Sequence, residues 1–576
     1  MNVGFRWAAL SLALGSAGAL LHCGGSVQTA PTADAGTDGP PGGGPDVDAQ
    51  GPPDVPLVPA SKVDLLLVVD NSASMADKSA LLASSVGRLI RALAPVGDLH
   101  VGVISSSLGS LGGDVCPRTA DLDQRAHLLT RGATRQPPDG VLTSAGGVDA
   151  LVADTEAVVR GVGQSGCGLE APLEASYRFL VQPDPWESVV VDAGTNRARY
   201  EGVDAVLLGQ RKAFLRPDSL VIVLTLTDED ESIADPLSVA GQGWAFMSSQ
   251  FPGSTTFRAD GRTTTAPRGT SVCATSPADP ACTSCGFAAA CNASDPACAA
   301  IKADPNCQGG GYFGPDDDSL NVRFHRMKER YGLDPRYPTS RYVDGLTSAT
   351  VPDGKSEHDA EGKYIGTKSC TNPLFAASLP SQTGDELCKL PRGPRARGLV
   401  LFGVITGVPG GLLTAAAKDL LPVPDWTQIL GKSPETFDFT GIDPHMIPST
   451  QPRQGLPPPS GTRGDNGTDP VHGREFDTKK DDLQYACTFA IPSPRTCTVN
   501  EPGCDCAQPD RNPPLCGATV GEQVRAKAYP SVRPLIVARD LGDRAVVGSI
   551  CPAPGTTNYD ATMDALGAKL AGRVAK

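Results

Sequence analysis

The sequence predicts an α/β fold with a Rossmann-like, doubly wound and mostly parallel sheet. Residues 65–69, 220–227 and 398–406 are apolar runs rich in branched side chains, which is typical of strands buried on both faces. A helical pattern follows the first run, because apolar residues recur on one face over residues 82–93 and Pro95 ends the pattern. Buried strands that alternate with helices favour a parallel sheet covered on both sides.

The same patterns predict the remaining elements. In chain order they are a strand at 98–105, a helix at 148–162, a helix from about residue 172 with Leu173, Tyr177 and Leu180 on one face, an amphipathic basic surface helix at 320–330 behind the acidic stretch 316–318, late short strands or turns at 532–538 and 546–551, and a closing helix at 559–574.

Composition limits the class of protein and its partners. The chain has 576 residues, a net charge of −14, only 5% aromatic residues, 65 glycines and 52 prolines, which indicates a modest core with long loops. No basic stripe is present to neutralise phosphates, so nucleic acid is excluded as the main partner. We expect one α/β domain over residues 61–576, with a Cys-rich insertion at about 233–395 and a Pro/Gly/Cys-rich loop at about 422–530.

The N-terminus has the pattern of an export signal. Residues 1–23 combine Arg6, an apolar core and a cleavage site before Cys23. This pattern resembles a bacterial lipoprotein signal, which implies lipidation of Cys23 and, because Gly24 follows it, an outer-membrane lipoprotein of the cell envelope. The alternative is an ordinary secretory signal. Residues 24–60 read as a flexible Pro/Gly/Asp-rich tether.

The cysteines favour disulfide bonds. Without Cys23, 16 of the 17 cysteines remain, an even number that permits eight pairs of undetermined connectivity. Cys282 and Cys285 form a Cys-x-x-Cys motif that also fits zinc, but no second pair or His pair stands at finger spacing. In an exported chain, disulfides are the favoured interpretation.

Oxygen-bearing side chains follow the first predicted strand. Asp70, Ser72 and Ser74 lie on its turn into the first helix, at the carboxyl end where open α/β sheets bind ligands. Such hard oxygen ligands suit Mg²⁺.

This Asp-x-Ser-x-Ser motif, together with Thr227-Asp228 after a later strand, resembles the metal-ion-dependent adhesion site of von Willebrand factor A domains. The resemblance implies Asp70, Ser72, Ser74 and Asp228 as ligands of Mg²⁺, or of Mn²⁺ or Ca²⁺. In that family a further loop brings a threonine hydroxyl to the metal. No threonine stands there in this chain, and Ser165 is the expected substitute, ahead of Cys167 and Glu170 in the same loop.

A second resemblance concerns the cysteines of that loop. Gly-Cys-Gly-x-Glu at 166–170, with Thr-Asp-Glu-Asp-Glu at 227–231, looks like a cysteine-rich subgroup found in secreted lipoproteins of myxobacteria. It implies that Cys116 and Cys167 pair near the metal loops. Asp228 is the expected ligand of the acidic run, and residues 229–231 are expected beside the site or in solvent.

The predicted function is binding rather than catalysis. A cation held by Asp70 and Asp228 keeps an open position, which a carboxylate of a protein or peptide partner can fill. Contact with a membrane is expected only through the lipid anchor. One alternative is a structural envelope scaffold with a degenerate metal site. The other is a metal-assisted hydrolase in which Asp70, Asp228 and Asp230 hold two ions, although the chain lacks His-Glu-x-x-His and Gly-x-Ser-x-Gly motifs and its histidines are scattered singly.

Overall fold

A computed structural model describes residues 55–249, 265–287, 296–314, 317–360, 362–415, 422–498, 501 and 503–575. All of them belong to one unit that spans Asp54–Lys576. The predicted signal peptide, Cys23, most of the tether, Cys291 and Asp316 lie outside the described residues.

A six-stranded sheet forms the centre of the fold. We number its strands β1 (Lys62–Val69), β2 (Asp98–Ser105), β3 (Leu142–Thr143), β4 (Leu220–Leu226), β5 (Val400–Thr406) and β6 (Ala545–Ser549). Their order across the sheet is β6-β5-β4-β1-β2-β3. All neighbours pair in parallel except β2 and β3, so the predicted mostly parallel α/β sheet is confirmed.

Helices follow most strands of the sheet. Those of eight or more residues among the described residues are α1 (Ala76–Leu93), α2 (Val148–Gly161), α3 (Pro172–Leu180), α4 (Ala205–Phe214), α5 (Pro296–Ala303), α6 (Thr339–Thr347), α7 (Val532–Leu541) and α8 (Asp560–Ala568). Shorter α-helical segments are Ser238–Gly241, Leu320–Arg323, Met327–Tyr331 and Trp426–Leu430.

The helices cover both faces of the sheet. Along β1, Leu65 and Leu67 pack with the apolar residues of α1, α2 and α8, whereas Leu66 and Val68 pack with those of α3, α4 and α7. This alternation follows from the two-residue period of a strand, and it explains why β1 is apolar throughout. By length and hydropathy the helical stretch Ala73–Val96 could cross a membrane, but its apolar residues belong to this core.

The strand order places a crevice at the centre of the sheet. The order reverses between β1 and β4, which lie side by side in parallel. In doubly wound sheets, ligands bind at such a switch point, beyond the carboxyl ends of the strands. The residues that follow Val69 and Leu226 are therefore in the position where a site is expected.

The long connections add small sheets outside the central one. Between β4 and β5, the described residues contribute no strand to the central sheet. The peripheral two-stranded sheets pair Ser188–Val191 with Ala198–Glu201, Thr350–Val351 with Cys370–Thr371, Leu413–Ala415 with Pro422–Pro424, and Cys487–Thr496 with Glu522–Ala528.

Disulfide bonds cross-link these connections. Among the described residues the pairs are Cys116–Cys167, Cys273–Cys282, Cys285–Cys307, Cys370–Cys388, Cys487–Cys551, Cys497–Cys504 and Cys506–Cys516, and Cys298 is also disulfide-bonded. The expected Cys116–Cys167 pair is therefore confirmed. Cys282 and Cys285 belong to different disulfides, so the zinc alternative for that motif is wrong.

Two predicted elements were wrong. Residues 532–538 form the start of α7 instead of a strand, because Pro534 lies in the first turn, where a helix tolerates proline. The surface helix predicted at 320–330 is two short helices separated at Arg326, whose φ is +44°. Arg323 is fully buried against Asp318, so this segment belongs to the interior of the insertion.

Candidate metal centre at the carboxyl end of the sheet

Asp70 and Asp228 lie at the ends of the adjacent strands β1 and β4. Val69 is paired with Leu226, and the Asp70 amide donates to the Leu226 carbonyl at 2.9 Å. Both aspartates are fully buried. Thr227, between Leu226 and Asp228, donates its hydroxyl to Asp70 Oδ2 at 2.8 Å. The register of the two strands thus brings residues 158 positions apart into one cluster.

The two serines of the motif join this cluster. The Ser72 amide donates to Asp70 Oδ1 at 2.9 Å, and the Ser74 hydroxyl donates to Asp228 Oδ2 at 2.8 Å. The two serine Oγ atoms are 3.5 Å apart. The structure therefore brings together Asp70, Ser72, Ser74 and Asp228, the four residues that the sequence placed at the ends of two strands.

The loop before α3 is fixed against the cluster by a disulfide and by backbone contacts. Cys167 is bonded to Cys116, its amide donates to Ser107 Oγ at 2.9 Å, and the Gly166 amide donates to the Asn71 carbonyl at 2.8 Å. A Cβ atom at Gly166 would collide with the Asn71 side chain as it is placed, so glycine permits this close approach.

Within this loop, Glu170 rather than Ser165 is buried and interacts electrostatically with Asp70 and Asp228. Ser165 is exposed, and among the described residues it makes no side-chain hydrogen bond to the aspartates. Glu170 is buried and lines the same cavity as Ser72 and Ser74. Sequence reasoning ranked Ser165 first because a hydroxyl resembles the family threonine, although Glu170 offers carboxylate oxygens.

The cluster holds more carboxylates than cations. Burial and the charge of Asp228 raise the pKa of Asp70 to about 6. Burial and the charges of Glu229 and Asp70 raise the pKa of Glu170 well above its ordinary value. Burial and the charge of Asp228 raise the pKa of Glu229 to about 8. These pKa values are raised because a charged carboxylate is unfavourable in a buried site beside other carboxylates.

Two carboxylate oxygens in the cluster are buried without a hydrogen-bond partner among the described residues. They are Asp228 Oδ1 and Glu170 Oε2. Buried acceptors in proteins are nearly always paired with a donor, a water or an ion. The donor set of carboxylate and hydroxyl oxygens, with these two atoms free, fits a hard divalent cation.

Lys78 supplies a resident cation that sequence reasoning missed. Its Nζ lies 2.6 Å from Asp228 Oδ2 and 2.8 Å from the Ser74 carbonyl, and its side chain is 1% exposed. The signal in the sequence was its position four residues after Ser74, which places both on one face of a helix. The lysine stands among the apolar residues of the buried face of α1.

The remaining acidic residues after β4 have separate partners. Glu231 is fully buried and accepts from the Leu173 and Glu174 amides at 2.9 Å each, at the start of α3. Asp230 accepts from the Arg533 amide at 2.7 Å. Of the three aspartates that the hydrolase alternative requires, Asp230 therefore already accepts a hydrogen bond from the backbone.

A cavity of about 1040 Å³ opens beside the cluster. Its lining includes Ser72, Ser74, Glu170 and Glu229, together with apolar and cationic side chains such as Phe324, Phe437, Arg336 and Arg533. Asp70 and Asp228 lie beneath the serines and are not themselves in the wall. A ligand in this cavity would have access to Ser72, Ser74 and Glu170.

Outside this cluster, two groups of side chains place metal-ligating atoms close together. Among the described residues, His445, Asp469 and His472 each place a ligand atom within 4.8 Å of the other two, as do Asp353, Cys370 and Cys388, although a disulfide joins those cysteines. His445 and His472 stand singly in the sequence, and the fold brings them together. A repeated Asp-Pro before each histidine, at 443–445 and 469–472, was the available signal.

Comparisons with protein-family models, with curated proteins and with solved structures gave no match for this chain.

Proposed function

We propose that this chain is an envelope-anchored binding protein of the von Willebrand factor A type, in which a divalent cation captures a carboxylate of a protein partner. The fold and the motif support this proposal together. An Asp-x-Ser-x-Ser turn follows β1, a Thr-Asp pair follows the adjacent β4, and the two turns meet at the switch point of a doubly wound sheet.

The unpartnered oxygens of Asp228 and Glu170 are the observation that carries the proposal. Asp70, Glu170, Asp228 and Glu229 influence one another electrostatically, and Lys78 is the cation in contact with Asp228. A buried carboxylate without a counter-charge is costly. A divalent cation such as Mg²⁺, Mn²⁺ or Ca²⁺ offsets this excess negative charge, and Asp70, Ser72, Ser74, Glu170 and Asp228 are the residues that would hold it.

When bound, the cation would supply an electrophilic centre for an anionic ligand, and the chain would supply the metal ligands and the cavity beside them. The cavity beside Ser72, Ser74 and Glu170 gives a ligand access to the cluster. Its apolar and cationic side chains offer further contact to a peptide that carries a carboxylate. Capture of this kind needs neither a nucleophile nor a general base. The tether and a lipidated Cys23 would hold the domain off the envelope surface, in the oxidising environment that disulfides indicate.

Calorimetry with metal-free, disulfide-intact protein tests the proposal. We expect the wild type to bind Mg²⁺ or Mn²⁺ with measurable heat and Asp70→Ala to lose it. Asp218→Ala is the matched control, because Asp218 is an exposed aspartate paired with Lys62, and it should bind as the wild type does. A short peptide with a free carboxylate should then lower the water relaxivity of protein-bound Mn²⁺, by displacing water from the ion.

The buried contact between Lys78 and Asp228 favours a second candidate, an envelope scaffold whose metal site is degenerate. Here the ammonium replaces the divalent cation as the counter-charge of Asp228. The calorimetry separates the two candidates. An absence of heat in the wild type and in Asp70→Ala alike would support the scaffold and contradict capture through a metal.

A further inference from the structure

We infer that His445, Asp469 and His472 form a second metal site, of the kind that binds Zn²⁺ or Co²⁺. One ligand atom of each residue lies within 4.8 Å of the others. His445 Nε2 is 2.6 Å from Asp469 Oδ2, and the two imidazole centroids are 5.1 Å apart. Two imidazoles and a carboxylate are a donor set of borderline transition metals, which distinguishes this site from the all-oxygen cluster at Asp70.

Each histidine has a carboxylate on its other nitrogen. His445 Nδ1 lies 2.6 Å from Asp443 Oδ1, and His472 Nε2 lies 2.9 Å from Glu475 Oε1. Metal-ligating histidines nearly always donate their second N–H to such a group, which fixes the tautomer and the ring orientation. The arrangement leaves Nδ1 of His472 as a free lone pair and holds Nε2 of His445 against Asp469 Oδ2. A metal bound by His445 and Asp469 would replace the proton between those two atoms.

His472 Nδ1 gives the independent sign of a missing ligand. The residue is fully buried, and this nitrogen has no hydrogen-bond partner among the described residues. Arg453 also approaches His472 Nε2, at 2.9 Å, but its guanidinium has other acceptors in Glu475 and in the Tyr485 carbonyl. Nε2 is therefore able to donate to Glu475, which leaves the lone pair on Nδ1.

Asp469 is positioned by the backbone that follows it. Its Oδ1 accepts from the Val471 and His472 amides at 2.9 and 3.1 Å, and these bonds leave Oδ2 for His445 or a metal. The side chains of His445 and Asp469 are 17% and 16% exposed, so water has access to a fourth coordination position. A metal here would join the turn at Pro444–Met446 to the turn at residues 469–473, in a stretch that has little regular structure.

Cobalt titration of the full, disulfide-intact and metal-stripped chain tests the site. The protein should carry Asp70→Ala, so that the oxygen cluster does not contribute to the signal. We expect one equivalent of Co²⁺ to give the visible d–d absorption of a low-coordinate nitrogen–oxygen site, Zn²⁺ to displace it, and Zn²⁺ to raise the melting temperature. Asp469→Asn and His472→Ala should each weaken binding by about 100-fold or more, and Asp443→Asn by about 10- to 100-fold.

His127→Gln is the matched control. His127 is also paired with an aspartate, Asp204, at 2.8 Å and has a side chain 18% exposed, but it lies outside the cluster. This variant should bind Co²⁺ as its parent does. Circular dichroism and a metal-free melt identify any variant that fails to fold. Asp469→Asn keeps the side-chain shape and is therefore the decisive variant. Binding that is absent from the parent, or equal in the parent and Asp469→Asn, would overturn it.

Discussion

The two candidate functions give Lys78 different roles. Its ammonium and a divalent cation would compete for Asp228 Oδ2, because Lys78 Nζ already lies 2.6 Å from that atom. A buried ion pair gives little net stability, but removal of one partner leaves an uncompensated charge and is strongly destabilising. The two functions therefore predict different behaviour when the ammonium is removed.

We predict that Lys78→Met destabilises the metal-free protein by about 3 to 5 kcal/mol and increases its affinity for Mn²⁺. The loss arises from the charge of Asp228, and a cation that binds the same oxygen should restore most of it. Urea unfolding with and without Mn²⁺ measures both effects. Lys62→Met is the control, since Lys62 pairs with Asp218 at the surface and its loss should cost about 0 to 1 kcal/mol.

An equal destabilisation of Lys78→Met with and without Mn²⁺ would contradict metal capture at this site. It would leave Lys78 as the sole counter-charge and favour the scaffold. A loss no larger than that of Lys62→Met would mean that the contact between Lys78 and Asp228 does not stabilise the folded protein.

The residues of the site differ in how far the sequence reveals them. Asp70 and Asp228 could be predicted because each directly follows an apolar strand. Glu170 and Lys78 could not be ranked in the same way, since their approach to the aspartates depends on the packing of α1 and of the loop held by Cys167. His445 and His472 meet across 27 residues of loop, where no periodic pattern gives the fold.

Among the helices, α6 is joined to the core by a buried charged triad. Arg341 of α6 contacts Glu174 of α3, and its Nε lies 2.7 Å from Glu357 Oε1. Its guanidinium also stacks over Tyr177 at 3.6 Å from the ring centroid. Burial and the charge of Glu357 raise the pKa of Glu174 to about 7. Arg341 offsets this only in part, because one arginine cannot neutralise two glutamates.

This triad predicts a pH dependence of stability. The pKa of Glu174 is higher in the folded protein, at about 7, than its ordinary value of 4.5, so the folded state binds the extra proton between these values. The stability contribution is full below pH 4.5 and is lost as the pH rises through 7. It amounts to up to about 3 kcal/mol.

Urea unfolding at several pH values between 5 and 8 measures this contribution. Glu174→Gln should lack it, so the variant should gain stability relative to the wild type as the pH rises. Glu187→Gln is the control, because Glu187 forms a half-exposed pair with Arg125, and its difference from the wild type should stay flat. Parallel pH profiles for the wild type and Glu174→Gln would show that Glu174 is ionised throughout.

Helices and strands of the central sheet were predictable where one pattern extends over many residues. The strand at 98–105 has the bounds of β2, and the helix at 148–162 ends one residue from α2. The segments at 320–330 and 532–538 were wrong for local reasons. Arg326 takes a left-handed conformation. Residues 532–538 include β-branched residues, which are typical of a strand, but they form a helix that packs on a face of the sheet.

At the scale of the whole molecule, long irregular connections depend on covalent links. The central sheet has a continuous apolar core on each face. Some buried residues between Phe476 and Tyr529, among them Cys497, Cys506 and Cys516, form a separate small cluster. Composition predicted a modest core with long loops, since glycine and proline are frequent and aromatic residues are few. The pairing of the cysteines depends on the tertiary fold and could not be deduced from their spacing.

The disulfides should therefore contribute to stability according to the loops they close. Cys487–Cys551 links the peripheral hairpin to the residue after Ile550, beyond β6, and closes a loop of 64 residues, whereas Cys497–Cys504 closes one of 7. The loss of chain entropy in the unfolded state predicts a stabilisation of about 4 kcal/mol by the first disulfide and about 2 kcal/mol by the second.

We expect the Cys487→Ala/Cys551→Ala double variant to unfold at clearly lower urea concentration than Cys497→Ala/Cys504→Ala. Both variants should be compared with the remaining disulfides intact, so that each one reports the loss of a single cross-link. Equal losses would mean that the hairpin is held to the sheet by packing, with Phe489 and Ile491 of its first strand in the core of the α1 face, and not by the covalent link.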